Sequence, residues 1–96
     1  MVVVLTAIIK AADGKGDDIE RELKKLAPKV LKDPGAITYN VHRAVDNPNT
    51  FLIYEQYENQ DAFKYHGQTE HFKAYRQATR GMTIGQPEIV FYNKIV

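Results

Sequence analysis

Two segments, one at each end of the chain, present apolar side chains on both faces of an extended strand. That pattern narrows the folds open to this sequence more than any other feature. Val2 to Lys10 is rich in β-branched residues and reads as a strand. Because side chains alternate between faces, Val2, Val4 and Ile8 share one side while Val3, Leu5 and Ile9 share the other; Thr6 is the only polar residue among them. Ile89 to Val96 repeats the pattern, with Ile89, Phe91 and Ile95 opposed to Val90, Tyr92 and Val96, and Asn93 and Lys94 interrupting one face each. A sheet with one wet face alternates apolar and polar residues. This one does not, so both its faces want cover.

Between these strands, Ile19, Leu23, Leu26, Ala27 and Val30 recur at helical spacing. Asp17 and Glu20 resemble a capping box at the start of that helix, and Pro28 is expected to kink or split its last turns. Asp33-Pro34-Gly35 stops it. Ile37 to Arg43 and Phe51 to Tyr57 read as two strands joined through a hairpin loop holding Asp46, Asn47 and Pro48. Asn59 caps a short helix carrying Ala62, Phe63 and His66, and Gly67 breaks it. Thr69 caps another, with Phe72, Tyr75, Thr79 and Met82 on one side. Gly85-Gln86-Pro87 turns the chain into the final strand. The order β-α-β-β-α-β predicts a single α+β domain over residues 1–96, ferredoxin-like, with a four-stranded antiparallel sheet and helices on one face. The helices suffice for one face only. The other is expected to meet an identical subunit, giving a homodimer.

The charges nearly cancel, with 13 Lys and Arg against 12 Asp and Glu and a formal net charge of +1. The densest basic stretch, Arg21 to Lys32, is diluted by Glu20, Glu22 and Asp33, so no nucleic-acid partner is expected. The chain has no cysteine, which excludes disulfides, thiolate catalysis and Cys-ligated zinc, and permits a reducing cytoplasm. Val2 to Ile9 is too short to span a bilayer and follows no basic segment, so no membrane partner and a cytoplasmic location are expected. No phosphate-binding loop, dinucleotide fingerprint or nucleophile elbow occurs, and a serine triad is excluded because there is no serine.

The residues left to carry chemistry are few. Glu55 shares its strand face with Phe51, Ile53 and Tyr57, and a carboxylate on an apolar face needs a partner or its pKa rises. Two readings follow: a salt bridge to Arg43, Arg76 or Lys94, or a general base or orienter of a histidine in a pocket. His66 and His71 lie five apart, a net rotation of about 140° on one helix, unlike the spacing of a helical metal pair; no metal site is expected. Phe63, Phe72, Tyr75 and Met82 suit either core or pocket wall. Asn40, a polar residue in a central-looking strand, either points outward or bonds a ligand.

From Asp33 to Tyr75 the chain resembles the antibiotic biosynthesis monooxygenase family. The matching run is Pro34-Gly35-Ala36-Ile37-Thr38-Tyr39-Asn40-Val41, then Asp46-Asn47-Pro48, Phe51-Leu52-Ile53-Tyr54-Glu55-Gln56-Tyr57, Asp61-Ala62-Phe63 with His66, and His71-Phe72. The resemblance implies a dimeric α/β barrel built from two ferredoxin-like subunits, with a pocket between each sheet and its own helices. Members include cofactor-free monooxygenases of quinols and polycyclic phenols, an enzyme of quorum-signal breakdown, and haem-degrading relatives. This chain lacks the Trp that haem-degrading and many polyketide-oxidising members carry, and Tyr57 or Tyr75 is the available substitute.

Together these readings point to a cofactor-free monooxygenase of a small aromatic, quinol-type molecule. His66 or His71 would be the base and Glu55 its orienter, with Asn40, Tyr57, Phe63, Phe72 and Tyr75 holding the substrate. Two alternatives use the same scaffold: a non-oxidative enzyme acting beside a carbonyl of a small signal metabolite, and a non-enzymatic small-molecule-binding stress-response dimer whose pocket is filled by Phe63, Phe72 and Met82.

Overall fold

A computed structural model describes residues 1–96. The chain runs β1 (Val3–Lys10), α1 (Gly16–Val30), β2 (Ala36–Arg43), β3 (Thr50–Tyr57), α2 (Gln60–Gln68), α3 (Glu70–Ala78) and β4 (Glu88–Tyr92). The four strands form one antiparallel sheet in the order β2-β3-β1-β4, the α+β, ferredoxin-like architecture expected of the sequence. No helix is long and apolar enough to cross a membrane.

The main core lies at one end of the sheet. There Ile19, Leu23, Leu26 and Val30 of α1, spaced to form one stripe, pack against Ala7, Ile9, Phe51, Ile53 and Tyr39. Each such side chain, when fully buried, contributes about 1.5–3 kcal/mol. The helix runs unbroken through Pro28, which sits on the exposed side of the last turn, where solvent can satisfy the carbonyl that proline leaves free. The expected split therefore does not occur.

Asp17 and Glu20 do not form a capping box. Lys15 is the N-cap and makes no side-chain capping bond. Instead, Arg43 of β2 donates to Asp17 at 3.0 Å, to Glu20 at 3.1 Å and to the Pro48 carbonyl at 2.7 Å. A guanidinium arriving from another element outcompetes the local backbone donors for both carboxylates. It also lies 5.2 Å from the centre of the Phe51 ring and so ties α1 to the β2–β3 hairpin.

The last strand is shorter than its apolar pattern suggests. The pairing of β4 with β1 ends at Tyr92 opposite Val4. Asn93 to Val96 consequently have no strand partner. The third helix also stops early: it ends at Ala78, and Met82 falls in the following turn.

Candidate functional site

The half of the sheet not covered by α1 lies under α2 and α3, and the site forms there. Strand pairing sets Tyr39, Glu55, Leu5 and Phe91 in one row across β2, β3, β1 and β4. Glu55 thus sits near the middle of the sheet on its helix side, 5% exposed, between an aromatic and an aliphatic neighbour. None of its expected cationic partners reaches it. Arg43 pairs with Phe51, four residues away, roughly 13 Å along the strand, and is already committed to Asp17 and Glu20. Arg76 and Lys94 make no ion pair with any acid. The salt-bridge reading of Glu55 is therefore corrected.

What Glu55 has instead is Tyr57, whose hydroxyl donates to Oε1 at 2.7 Å. That bond favours the ionised carboxylate, but desolvation outweighs it, and the Glu55 pKa is pushed up to about 7. Burial also raises Tyr39 and Tyr57 far above the phenol range and moves Tyr75 up to about 12, so all three remain neutral donors.

His66, in the last turn of α2, is equally buried. Its Nε2 lies 4.0 Å from Glu55 Oε1, too far for a hydrogen bond, and Nδ1 is sealed from solvent without a partner. Desolvation lowers its pKa to about 4, so near neutral pH the pair is a neutral imidazole beside a titrating carboxyl and not an ion pair. Aromatic rings enclose it, with centroids at 4.7 Å for Phe72, 5.5 Å for Tyr57 and 5.7 Å for Tyr39.

One residue sets this geometry locally. The Thr69 hydroxyl donates to the His66 carbonyl at 3.0 Å and accepts from the Phe72 amide at 3.2 Å, closing α2 and opening α3. Thr69 is buried, so the angle between the two helices, and with it the spacing of His66 and Phe72, is pinned by a single side chain.

These residues surround a cavity of about 890 Å³ between sheet and helices. Tyr39, Glu55, Phe63, His66, Phe72 and Tyr75 line it, and it opens toward β4 and the turn after α3. Phe63 and Phe72 wall the space without filling it. Phe63 leans edge-on against Phe91 at 5.5 Å, and Met82 takes no part in the lining.

The residues singled out from the sequence therefore divide. Glu55, His66, Phe63, Phe72 and Tyr75 come together. Tyr57 lies beneath them, fully buried, and acts on Glu55 rather than on the open space. His71 is drawn aside: its Nε2 lies 2.9 Å from Asp33 Oδ2, a contact that ties α3 to the α1–β2 connection, and it does not line the cavity. Asn40 is corrected outright. It pairs with Tyr54, is exposed, and lies one residue from Tyr39, hence on the opposite face of the sheet from the cavity. Sequence reasoning missed Tyr39 for the same reason. Alternation makes Tyr39 and Asn40 exclusive choices, and the register with Glu55 selects the tyrosine. Asp33 was likewise visible only as part of a stop signal.

A ferredoxin-like sheet with an aromatic cavity and a buried, cation-free carboxyl beneath two short helices defines the class of protein. A sequence profile of the antibiotic biosynthesis monooxygenase family matches residues 1–78, and the chain belongs to that family. It is 28% identical over 74 residues, 77% of this chain and 78% of the relative, to a Bacillus subtilis protein named "Putative monooxygenase YcnE". Among solved structures it resembles PA3566 from Pseudomonas aeruginosa at 25% identity, with a TM-score of 0.93 and coverage of 99% of this chain and 95% of the other. A Caulobacter crescentus protein described as a "putative antibiotic biosynthesis monooxygenase" superposes at 28% identity, with a TM-score of 0.90 over 99% of this chain and 91% of the other.

Proposed function

We propose that this protein is a cofactor-free monooxygenase of a small quinol-type aromatic, with Glu55 as the base. The observation that carries the reading is the carboxyl at the floor of an aromatic-lined cavity, held by Tyr57 and unneutralised by any cation. A base whose pKa lies near the working pH is best placed to take a phenolic proton. The resulting phenolate is the electron donor to O₂. A quinol and O₂ yield a hydroxyquinone and water: one oxygen atom enters the ring, and the quinol's own two electrons reduce the other. His66, neutral at this pH, borders the site as a weakly basic ring, so the base role expected of a histidine passes to the carboxylate. His71, engaged by Asp33, ties α3 to the α1–β2 connection and stands outside the cavity.

The test is oxygen uptake with a panel of naphthalene and anthracene quinols, using chelator-treated protein free of flavin. Stoichiometric uptake and hydroxyquinone formation, slowed at least a hundredfold in Glu55→Gln, are expected. No uptake with any quinol would overturn the reading, and turnover under nitrogen would favour non-oxidative chemistry instead.

The active form is proposed to be a homodimer joined through the sheet face opposite the helices. That face carries Val4, Ile8, Leu52, Tyr54, Val90 and Tyr92, and the last two are about half exposed. The chain exposes 6415 Å². A compact monomer of this mass exposes about 5,600 Å², so the excess is roughly 800 Å². One partner in a standard interface buries about that much. Sedimentation at low micromolar concentration is expected to give twice the 11.0 kDa chain mass.

A further inference from the structure

The cavity's rim is charged in a way the chain as a whole is not. Of 13 basic and 12 acidic side chains, Lys10, Lys64, Lys73, Arg76 and Arg80 line this one space, and Glu55, at its floor, is the only acid that does. The five come from three directions: Lys10 from the end of β1, Lys64 from α2, and Lys73, Arg76 and Arg80 from α3 and the turn after it. On α3 the spacing of Lys73, Arg76 and Gln77 places them on one face, and Arg80 continues it. All five are exposed. Lys10, Lys64, Arg76 and Arg80 have no acidic partner, and Lys73 has only Glu70, at 3.9 Å across an exposed helical turn. Of the eight cations elsewhere in the chain, four, Arg21, Lys24, Lys25 and Arg43, meet carboxylates.

An unneutralised ring of one sign around a cleft with low-dielectric walls focuses its field on the opening and concentrates ions of the opposite sign there. The interior below offers aromatic rings and no second charge to match. We infer that the natural substrate is an aromatic bearing an anionic substituent, a carboxylate or phosphate. Its ring enters among Phe63, Phe72 and Tyr75, and its anionic group stays at the rim with Arg76, Arg80 and the three lysines. This deepens the proposed function, since it rests on the same cavity being the substrate site. It also gives the reaction an orientation: the charged end held outward leaves the opposite end of the ring nearest Glu55.

The test reads binding alone, so it can fail separately from the oxygenase reading. Titration calorimetry compares 2-naphthoate with 2-naphthylmethanol, and 2-naphthyl phosphate with 2-naphthol. Each anion is expected to bind about tenfold more tightly than its neutral counterpart at low salt, a preference that falls as added salt screens the rim. The relative strength of the carboxylate and phosphate arms identifies which anion the rim is built for. In Arg76→Gln/Arg80→Gln, with both changes on exposed residues, the preference is expected to shrink severalfold while the neutral probes bind as before. Equal or tighter binding of the neutral probes, an anion preference untouched by the double variant, or no binding of any probe overturns the inference. A protein that prefers the anions but consumes no oxygen with any quinol keeps the anion site and loses the monooxygenase reading.

Discussion

Tyr57 donates a 2.7 Å hydrogen bond to Glu55, two residues back on the same strand and on the same face, and this is the only protein hydrogen bond the Glu55 side chain makes. The two groups act in opposite senses. Burial favours the neutral carboxylic acid, the phenol hydroxyl favours the carboxylate, and burial prevails, leaving Glu55 at a pKa of about 7. The activity and the stability of this protein should both carry the signature of that balance.

Replacing Glu55 by Gln removes the proposed base while keeping the shape and an acceptor for Tyr57. Oxygen uptake is expected to fall by about 10²–10⁴-fold, the range typical of a lost general base. Stability should move the other way. The folded-state pKa of about 7 lies above the ordinary 4.5, so the contribution of Glu55 is fully present below pH 4.5 and is lost as pH rises through 7. At pH 8 the ionised, desolvated carboxylate costs roughly 3 kcal/mol relative to the unfolded chain. Denaturant unfolding should therefore find Glu55→Gln more stable than the parent at pH 8 and nearly equal to it at pH 4.5.

The Tyr57→Phe variant isolates the hydrogen bond. Without the hydroxyl, the ionised form of Glu55 loses its one donor, and its pKa rises further. The activity–pH profile of the parent should rise through about pH 7, and that of Tyr57→Phe should rise through a limb displaced upward. A profile that keeps its midpoint while losing only amplitude would assign Tyr57 a purely structural role.

His66 contributes with the opposite sign. Its pKa is lowered from 6.5 to about 4, so its share of stability is present above pH 6.5 and is lost as pH falls through 4. Between pH 4.5 and 6.5 the two groups oppose each other. The parent should show a flat stability profile across that window, and Glu55→Gln one that rises with pH. Guanidinium unfolding at half-unit steps distinguishes the two.

Thr69→Ala cuts the pin between α2 and α3. Losing the cap and the bond to the His66 carbonyl should cost about 1–2 kcal/mol. It should also weaken binding of an aromatic ligand, because His66 and Phe72 are then free to drift. Thr69→Ser, which keeps the hydroxyl, should recover most of both.

Gly35→Ala should be among the most damaging small substitutions. Gly35 has φ near +81°, and a Cβ there would lie 2.5 Å from the Ala62 Cβ of α2. A left-handed backbone and a steric overlap combine, for a loss of about 2 kcal/mol or more, readable as a lowered Tm.

The sequence alone determined the element order, the antiparallel sheet, the caps at Asn59 and Thr69 and three of the cavity's aromatic residues, Phe63, Phe72 and Tyr75, because these follow from periodicities and capping chemistry that act over a few residues. It also marked Glu55 as a carboxylate in apolar company. Tertiary structure decided what no local pattern contains. The register of β2 against β3 put Tyr39 beside Glu55 and turned Asn40 to the other face. Arg43, drawn to Asp17 and Glu20 across the fold, dissolved the expected capping box and was lost to Glu55. Asp33 drew His71 away from the cavity, and β1, far in sequence from α2 and α3, joined its cation to theirs at one opening. Charges and side-chain hydrogen bonds pair by proximity in space, and proximity between distant segments exists only once the chain has folded.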